Sequence, residues 1–247
     1  MRLKDKVALV TGAASGFGEG IARRFAAEGA RVLIADIAED RGKKVAAAIP
    51  RARFHQADVA KAADVEAMIA AALDAFGAID ILVNNAGTTH RNQPMLDVDE
   101  ETFDRVYAVN VKSIYLTARA AVPVMRQQGG GAILNIASSA GVRPRPGLTW
   151  YNGSKGAAIA LTRSMAAELA PDRIRVNALN PVIGETGLTA AFMGGDSPEL
   201  RKKFVATIPL GRMSRPLDVA NAALFLCSDE AEFLTGVCLE VDGGRSI

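Results

Sequence analysis

Tyr151 and Lys155 stand four residues apart in the stretch Trp150-Tyr151-Asn152-Gly153-Ser154-Lys155. On a helix that spacing puts both side chains on one face, about one turn apart. A free phenol has a pKa of about 10 and is a poor base at neutral pH. A neighbouring ammonium favours the phenolate and lowers that value. A lowering of ~2 units corresponds to about 2.7 kcal/mol of differential stabilisation, enough for such a pair to exchange a proton near neutral pH. The same spacing also arises by chance on a solvated helix, so the pair needs support from the rest of the chain. His55 and His90 are the only histidines and lie far apart. Cys227 and Cys238 fit no metal-ligand spacing. Zinc chemistry and a Ser-His-Asp triad therefore lack convergent residues, and no metal is expected.

Support comes from the other end of the chain. Thr11-Gly12-Ala13-Ala14-Ser15-Gly16-Phe17-Gly18 has the spacing Gly-x-x-x-Gly-x-Gly. Such glycines permit a tight turn and close approach of the backbone to a pyrophosphate, and the following helix N-terminus stabilises its charge. Ser15 can hydrogen-bond a phosphate, although the stretch also suits a plain βα turn. Asp36 lies eighteen residues after Gly18 (36 − 18). An acid at such a place hydrogen-bonds the adenosine ribose and repels a 2′-phosphate. NAD is therefore expected over NADP, with Arg41 as the residue that argues otherwise. Asp58, followed by Val59, suits either an adenine amino group or the cap of the next helix. Asn84-Asn85-Ala86-Gly87 leaves room for a flat ligand at Ala86 and Gly87, or makes an ordinary turn.

These residues need elements to hold them. Short apolar runs over Val7–Val10, Arg31–Ala35, Arg53–Ala57, Asp80–Val83, Ala132–Ala137, Ile174–Leu179 and Val237–Val241 read as strands. Helical patterns occupy Gly16–Glu28, Glu39–Ala48, Ala63–Phe76, Glu100–Gln127, Tyr151–Leu169 and Leu217–Cys227. The long Glu100–Gln127 pattern is apolar nearly all round, which suits a subunit contact, and Pro123 is expected to bend or split it. Strands alternating with helices imply an α/β fold, a doubly wound parallel sheet with helices on both faces. Gly12, Asp36, Asp58, Asn84, Ser138 and Asn180 all fall at the carboxyl ends of those strands, where open α/β sheets bind ligands. No linker or repeat interrupts the chain, so residues 1–247 are expected to form one domain for both dinucleotide binding and catalysis, with a substrate flap over about 183–208.

Composition narrows the function classes. The 247 residues are 49% hydrophobic, enough to bury both faces of a sheet. The net charge is only +2 without a basic run, so neither nucleic acid nor an anionic membrane surface is an expected partner. No apolar stretch reaches the ~18 residues of a membrane span. The charged Met1–Lys6 segment reads as the lead-in to a strand, not as a secretory signal, and two unpaired cysteines suit the cytoplasm.

Taken together, Thr11–Gly18, Asn84–Gly87, Asn110, Ser138 and the Tyr151/Lys155 pair resemble the short-chain dehydrogenase/reductase family in its short single-domain form. The resemblance spans essentially the whole chain, with the motifs in the expected order. It implies a Rossmann-like sheet of about seven parallel strands, a nicotinamide cofactor, and a tetramer or dimer; a homotetramer is expected here. It further implies that Tyr151 exchanges a proton with the substrate oxygen, that Lys155 lowers its pKa and binds the nicotinamide ribose, and that Ser138 steadies the developing alkoxide. Asn110 is implied to hold a backbone kink and a water in the proton relay. The resemblance implies Ser138 rather than Ser139, since a serine three residues before Gly141 and thirteen before Tyr151 matches the family's spacing; the residues alone do not separate the two. By position, Pro181, Ile183 and Thr186 are expected beside the cofactor, with Phe17. The family's usual Pro-Gly after the sixth strand is Pro181-Val182 here, which departs from the pattern.

The substrate is less legible. Gly187–Gly195 reads as a mobile flap carrying Leu188, Phe192 and Met193, or as a surface helix with a buried stripe. Thr89, His90, Gln93 and Met95, with Val142 and Arg143, are expected to complete the pocket; Trp150 suits pocket wall or core. The expected reaction interconverts a secondary alcohol and a ketone of a moderately hydrophobic small molecule. A 3-oxoacyl-carrier-protein reductase is the nearest alternative. That activity normally accompanies NADP and a basic docking surface, for which Arg126, Arg173 and Arg175 are candidates. A sugar dehydrogenase and a silent NAD-binding sensor are more distant alternatives.

Overall fold

The computed structural model describes residues 1–247. Seven parallel strands are joined in one sheet: β1 (Val7–Thr11), β2 (Arg31–Asp36), β3 (Ala52–Gln56), β4 (Ile81–Asn84), β5 (Gly131–Ile136), β6 (Ile174–Pro181) and β7 (Cys238–Val241). Their order across the sheet is β3-β2-β1-β4-β5-β6-β7. The chain moves outward from β1 to β3 on one side and then restarts at β4 on the other. That reversal between β1 and β4 opens a crevice at the carboxyl ends of the strands. The sheet is the doubly wound, Rossmann-like one expected from the alternation of elements, although β3, β4, β5 and β7 each start one residue from the expected position.

Side-chain alternation builds two separate apolar layers from the same strands. Ala8 and Val10 of β1 join Val32 and Ile34 of β2 on one face, under α1 (Gly16–Ala27). Leu9 and Leu33 point the other way, toward α3 (Ala62–Phe76). The short α2 (Glu39–Ala47) flanks β3 on the first face. A fully buried strand needs apolar residues on both faces, which is why β1 and β4 read as continuous runs instead of alternating ones.

The Glu100–Gln127 pattern resolves into α4 (Glu100–Tyr107), a single wide π turn over 108–112, and α5 (Ser113–Gln128). The interruption is at Asn110, not at Pro123. Pro123 sits inside α5 on its exposed side, so the carbonyl it leaves unpaired faces water and the helix continues. Next comes α6 (Thr149–Leu169), which carries Tyr151, Ser154 and Lys155 as buried residues. The segment expected as a flap holds two helices, α7 (Thr189–Met193) and α8 (Pro198–Val205). Finally α9 (Pro216–Cys227) packs along α1 with Pro216 directly over Gly20. No helix is long and apolar enough to cross a membrane.

Candidate active site

A cavity of about 630 Å³ runs along the carboxyl edge of the sheet, and the two halves of the sequence meet in it. Its floor begins at the turn after β1. Gly12 has φ +63 and Gly16 has φ +59, left-handed conformations that favour glycine. A Cβ on Gly12 would lie 2.8 Å from the Ala86 Cα, so the loops after β1 and β4 touch backbone to backbone. Thr11 stitches them together: its hydroxyl donates to the Val83 carbonyl at 3.2 Å and accepts from the amides of Asn85 and Ala86, both at 3.0 Å. Asn85 returns the contact by donating to the Thr11 and Gly12 carbonyls at 2.8 and 3.0 Å.

Two expected cofactor contacts lie elsewhere. Asn84 is still within the strand, and its side chain points into the layer below, donating to Asn135 and accepting from Thr117, both at 2.9 Å. Asn85, one residue on, lines the cavity instead. Gly18 does not line the cavity either; it is buried under the loop, where a Cβ would strike the Gly12 carbonyl and the Asn85 amide. The remaining expected positions, Ser15, Phe17, Asp58, Val59, Ala86, Gly87, Pro181, Ile183 and Thr186, do line it. Asp58 accepts from the Ala60 amide at 3.0 Å, and the N-cap position of α3 is Lys61, which makes no side-chain cap, so the capping alternative for Asp58 does not describe the structure. Val182 at the departure from Pro-Gly is buried, with its amide given to Val241 in β7 and its carbonyl accepting from Ser214 at 3.1 Å.

Ser138 follows β5, and its hydroxyl accepts from the Ala140 amide at 3.1 Å, capping a tight turn. Ser138, Tyr151 and Lys155 all line the same cavity. The Lys155 ammonium donates to the Ile136 carbonyl at 2.8 Å and lies 5.9 Å from the centre of the Tyr151 ring. Asn110 sits behind them and does not reach the cavity. Its amide clamps both backbone groups of Thr88 at 2.9 Å and donates to the Ser154 hydroxyl at 3.0 Å. The wide turn at 108–112 aims it there, tying the loop after β4 to α6.

The chain is similar to known oxidoreductases over its whole length. Residues 12–246 match the family model described as Enoyl-(Acyl carrier protein) reductase. The chain is 54% identical to 4-formylbenzenesulfonate dehydrogenase TsaC1/TsaC2 of Comamonas testosteroni, over 100% of both chains. It is 40% identical to 2,5-dichloro-2,5-cyclohexadiene-1,4-diol dehydrogenase LinX of Sphingobium indicum, over 100% of this chain and 98% of the other. A crystal structure of 3-ketoacyl-(acyl-carrier-protein) reductase from Brucella melitensis complexed with NADH superposes with a TM-score of 0.95 at 50% identity, covering 99% of this chain and 100% of that one. The chain belongs to the short-chain dehydrogenase/reductase family.

Its family relationship implies an oxidoreductase with a nicotinamide cofactor, and the residues present fit one. The cradle at Gly12 and Gly16 admits no side chain without strain, and Ser15 at the start of α1 has a hydroxyl committed to no cap. Asp36 uses one lone pair of each oxygen on the Ala14 and Ala38 amides, both at 2.9 Å, leaving the others for ribose hydroxyls. Arg41 also lines this part of the cavity.

The electrostatics of the short-chain dehydrogenase pair differ from the expectation. Burial pushes the Tyr151 phenol up to about 12, opposed by its hydrogen bond with Ser138. Burial pushes the Lys155 ammonium down to about 8. Loss of hydration thus governs both groups, and the Lys155 ammonium is directed to the Ile136 carbonyl. At neutral pH the chain alone holds the phenol protonated.

The expected substrate residues divide sharply. Leu188 and Phe192 line the cavity, and Phe192 meets the Tyr151 ring edge-on with centroids 4.9 Å apart. Met193 is turned into the protein and buried. Thr89 and His90 are also buried away from the cavity, each bonded to a neighbouring backbone carbonyl. Gln93 donates to the Asp97 carbonyl, and Met95 is exposed with its carbonyl taken by the Trp150 indole. Trp150 packs its ring against Phe103, outside the cavity. Arg143 reaches the carbonyls of Arg245 and Ile247 instead. Thr88, Arg145, Leu148 and Phe204 occupy the places these residues were expected to fill. Pro146 and Gly147 turn the loop, so Arg145, two residues past Arg143, faces inward.

Proposed function

We propose that the protein is an NAD-preferring dehydrogenase and ketoreductase that interconverts an alcohol, in the first instance a secondary one, and its carbonyl compound in a moderately hydrophobic small molecule. The observation that carries this reading is that Ser138, Tyr151 and Lys155 line one cavity with Gly12, Ser15 and Asp36. When bound, the cofactor supplies a hydride to the carbonyl carbon or takes one from the alcohol carbon. Ser138 donates a hydrogen bond to the substrate oxygen. Tyr151 passes its proton to that oxygen during reduction and recovers it during oxidation. Lys155 stays anchored on Ile136 beside the phenol, and Asn110 keeps the Thr88 loop and α6 in register. Val182, Leu188 and Phe192 exclude water and favour an apolar body.

A 3-oxoacyl-carrier-protein reductase is the second reading, favoured by the likeness to the ketoacyl reductase. That neighbour is complexed with NADH, so NAD preference does not count against it. The arginines do: Arg126 is paired with Asp172 at 2.7 Å, and Arg175 donates inward to the Leu226 carbonyl at 2.8 Å. Neither is free to dock an acidic carrier, and Arg173, which is exposed and outside any ion pair, is a single cation and not a basic surface. NADH- and NADPH-linked assays across aryl aldehydes, aryl and aliphatic ketones, sugars and β-ketoacyl thioesters separate the readings. A simple carbonyl compound is expected to be turned over faster than any acyl thioester, with NADH preferred by at least about tenfold in kcat/KM. Asp36→Ala is expected to erase that cofactor preference, since it removes the repulsion of a 2′-phosphate and leaves Arg41 beside the ribose. An unchanged preference in that variant would count against the role of Asp36.

A homotetramer belongs to the same reading. Phe233 and Tyr115 are exposed, at 99% and 55%, and suit burial between copies. Sedimentation equilibrium is expected to give the mass of four chains; a monomer at micromolar concentration would remove this part of the proposal. Cytoplasmic residence is proposed from the free thiols of Cys227 and Cys238.

A further inference from the structure

The substrate end of the cavity holds a cation with no counter-ion. Arg145 lines the cavity, and its guanidinium lies 4.3 Å above the centre of the Phe204 ring. Its Nη2 is buried and has no hydrogen-bond partner. No carboxylate pairs with it. Burial, and after it the positive charges of Arg245 and Arg143, push its pKa down to about 10. Arg245 is partly offset by Asp242, and Arg143 rests on backbone carbonyls, so neither brings a negative charge to Arg145. A buried donor left unused on a half-buried guanidinium is costly, and an incoming acceptor relieves that cost.

The loop is built to hold Arg145 in this place. Its carbonyl accepts from the Asn152 side chain at 2.8 Å, one residue after Tyr151. The next carbonyl, of Pro146, accepts from Asn92 at 3.3 Å, and that of Gly147 accepts from the Gln93 amide at 3.0 Å. Phe204 of α8 then fixes the plane of the guanidinium by stacking.

We propose that Arg145 is a specificity residue that receives an anionic oxygen group, a carboxylate or a sulfonate, at the far part of the substrate from the reacting alcohol or carbonyl. The preferred substrate class is thus an aromatic or similarly apolar alcohol or carbonyl compound that also carries an oxyanion. Phe192 beside Tyr151 and Phe204 beside Arg145 supply ring faces for its body, both from the 183–208 segment. The planar fork of an arginine matches two oxygens of such a group.

This inference rests on the dehydrogenase reading only for treating the cavity as a substrate site, and its test needs no turnover. Protein saturated with NADH, so that the nucleotide's own phosphates are already in place, is titrated calorimetrically with toluene-4-sulfonate and 4-methylbenzoate. The neutral counterparts are methyl 4-tolyl sulfone and 4-methylbenzamide, neither of which offers a reducible ketone. At least one anion is expected to bind about 10- to 100-fold more tightly than its counterpart, the range of one charge-assisted contact. Which anion is preferred distinguishes sulfonate from carboxylate. Arg145→Met is expected to bring the anion-to-neutral ratio close to one, and Arg145→Lys to restore part of it. Equal binding of both pairs by the unaltered protein, or a preference that survives Arg145→Met, overturns the proposal. A crystal structure of the NADH complex with the bound anion reads the contact without any substitution; an oxyanion lodged away from Nη2 overturns it equally. Loss of turnover across the carbonyl panel would instead count against the dehydrogenase reading alone.

Discussion

Tyr151→Phe is expected to lower kcat by about a thousandfold while leaving the Kd for NADH within about threefold, the loss typical of removing a positioned acid–base group. The substitution removes one oxygen and keeps the ring. The ring's contact with Phe192 at 4.9 Å and its burial against Leu148 survive, so the fold and the cavity wall stay as they are. What is lost is the proton that reaches the substrate oxygen. Steady-state kinetics with the best carbonyl substrate and fluorescence titration with NADH give the two numbers. Retained turnover would show that water or another group supplies the proton. The pH dependence carries a second check. With the phenol held protonated up to about pH 12 by burial, carbonyl reduction needs no deprotonation of Tyr151 and should persist at neutral pH. Alcohol oxidation releases a proton and should rise with pH in the unaltered protein.

Gly18→Ala should be the most damaging single-methyl change in the molecule's nucleotide half. The added carbon meets the Gly12 carbonyl and the Asn85 amide nitrogen and comes within 2.9 Å of the Ala13 Cα. Two of those are backbone atoms of the turn that would cradle a pyrophosphate, and backbone cannot swing aside as a side-chain end can. Relieving the clash means lifting the turn off α1 and breaking the Asn85 hydrogen bonds at 2.8 and 3.0 Å. Overpacking of this kind costs about 1–3 kcal/mol, which in a domain of this size lowers Tm by roughly 3–10 °C. The affinity for NADH is expected to fall by at least about a hundredfold, because each backbone donor in the turn is displaced together. Differential scanning fluorimetry with and without NADH measures both effects. Gly187→Ala serves as the comparison for stability: nothing lies within 4 Å of its added carbon, and its Tm should not move. A Gly18→Ala protein with unchanged Tm and unchanged NADH affinity would refute the packing argument.

The fold and the reacting centre were largely legible in the residues. Buried parallel strands are apolar on both faces, helices alternate with them, and glycine spacing announces a turn that side chains cannot make. The loops were not. Asn84 and Asn85 are chemically identical, and a strand turns successive side chains to opposite faces, so a shift of one residue decides which one reaches the cavity. Arg143 and Arg145, separated by one proline, lie in a loop without such alternation, and only the path of that loop decides that Arg145 lines the cavity. Lys155 is the subtler case: spacing put its ammonium near the phenol, but the free Ile136 carbonyl, which belongs to a strand nineteen residues earlier, claims it.

By itself, then, the chain's order of residue types determined the doubly wound sheet, the placement of polar residues at the strand ends and the Tyr151/Lys155 pair, because these follow from periodicity and local spacing; Ser138 came forward as a candidate only through the family resemblance. Only the tertiary structure decided that Asn85 and Thr11 lock the nucleotide turn, that burial governs the protonation of Tyr151 and Lys155, and that Arg145 stands unpaired against Phe204. Each of these depends on which distant segment fills the space beside a group, and on how much water it removes, which no local pattern encodes.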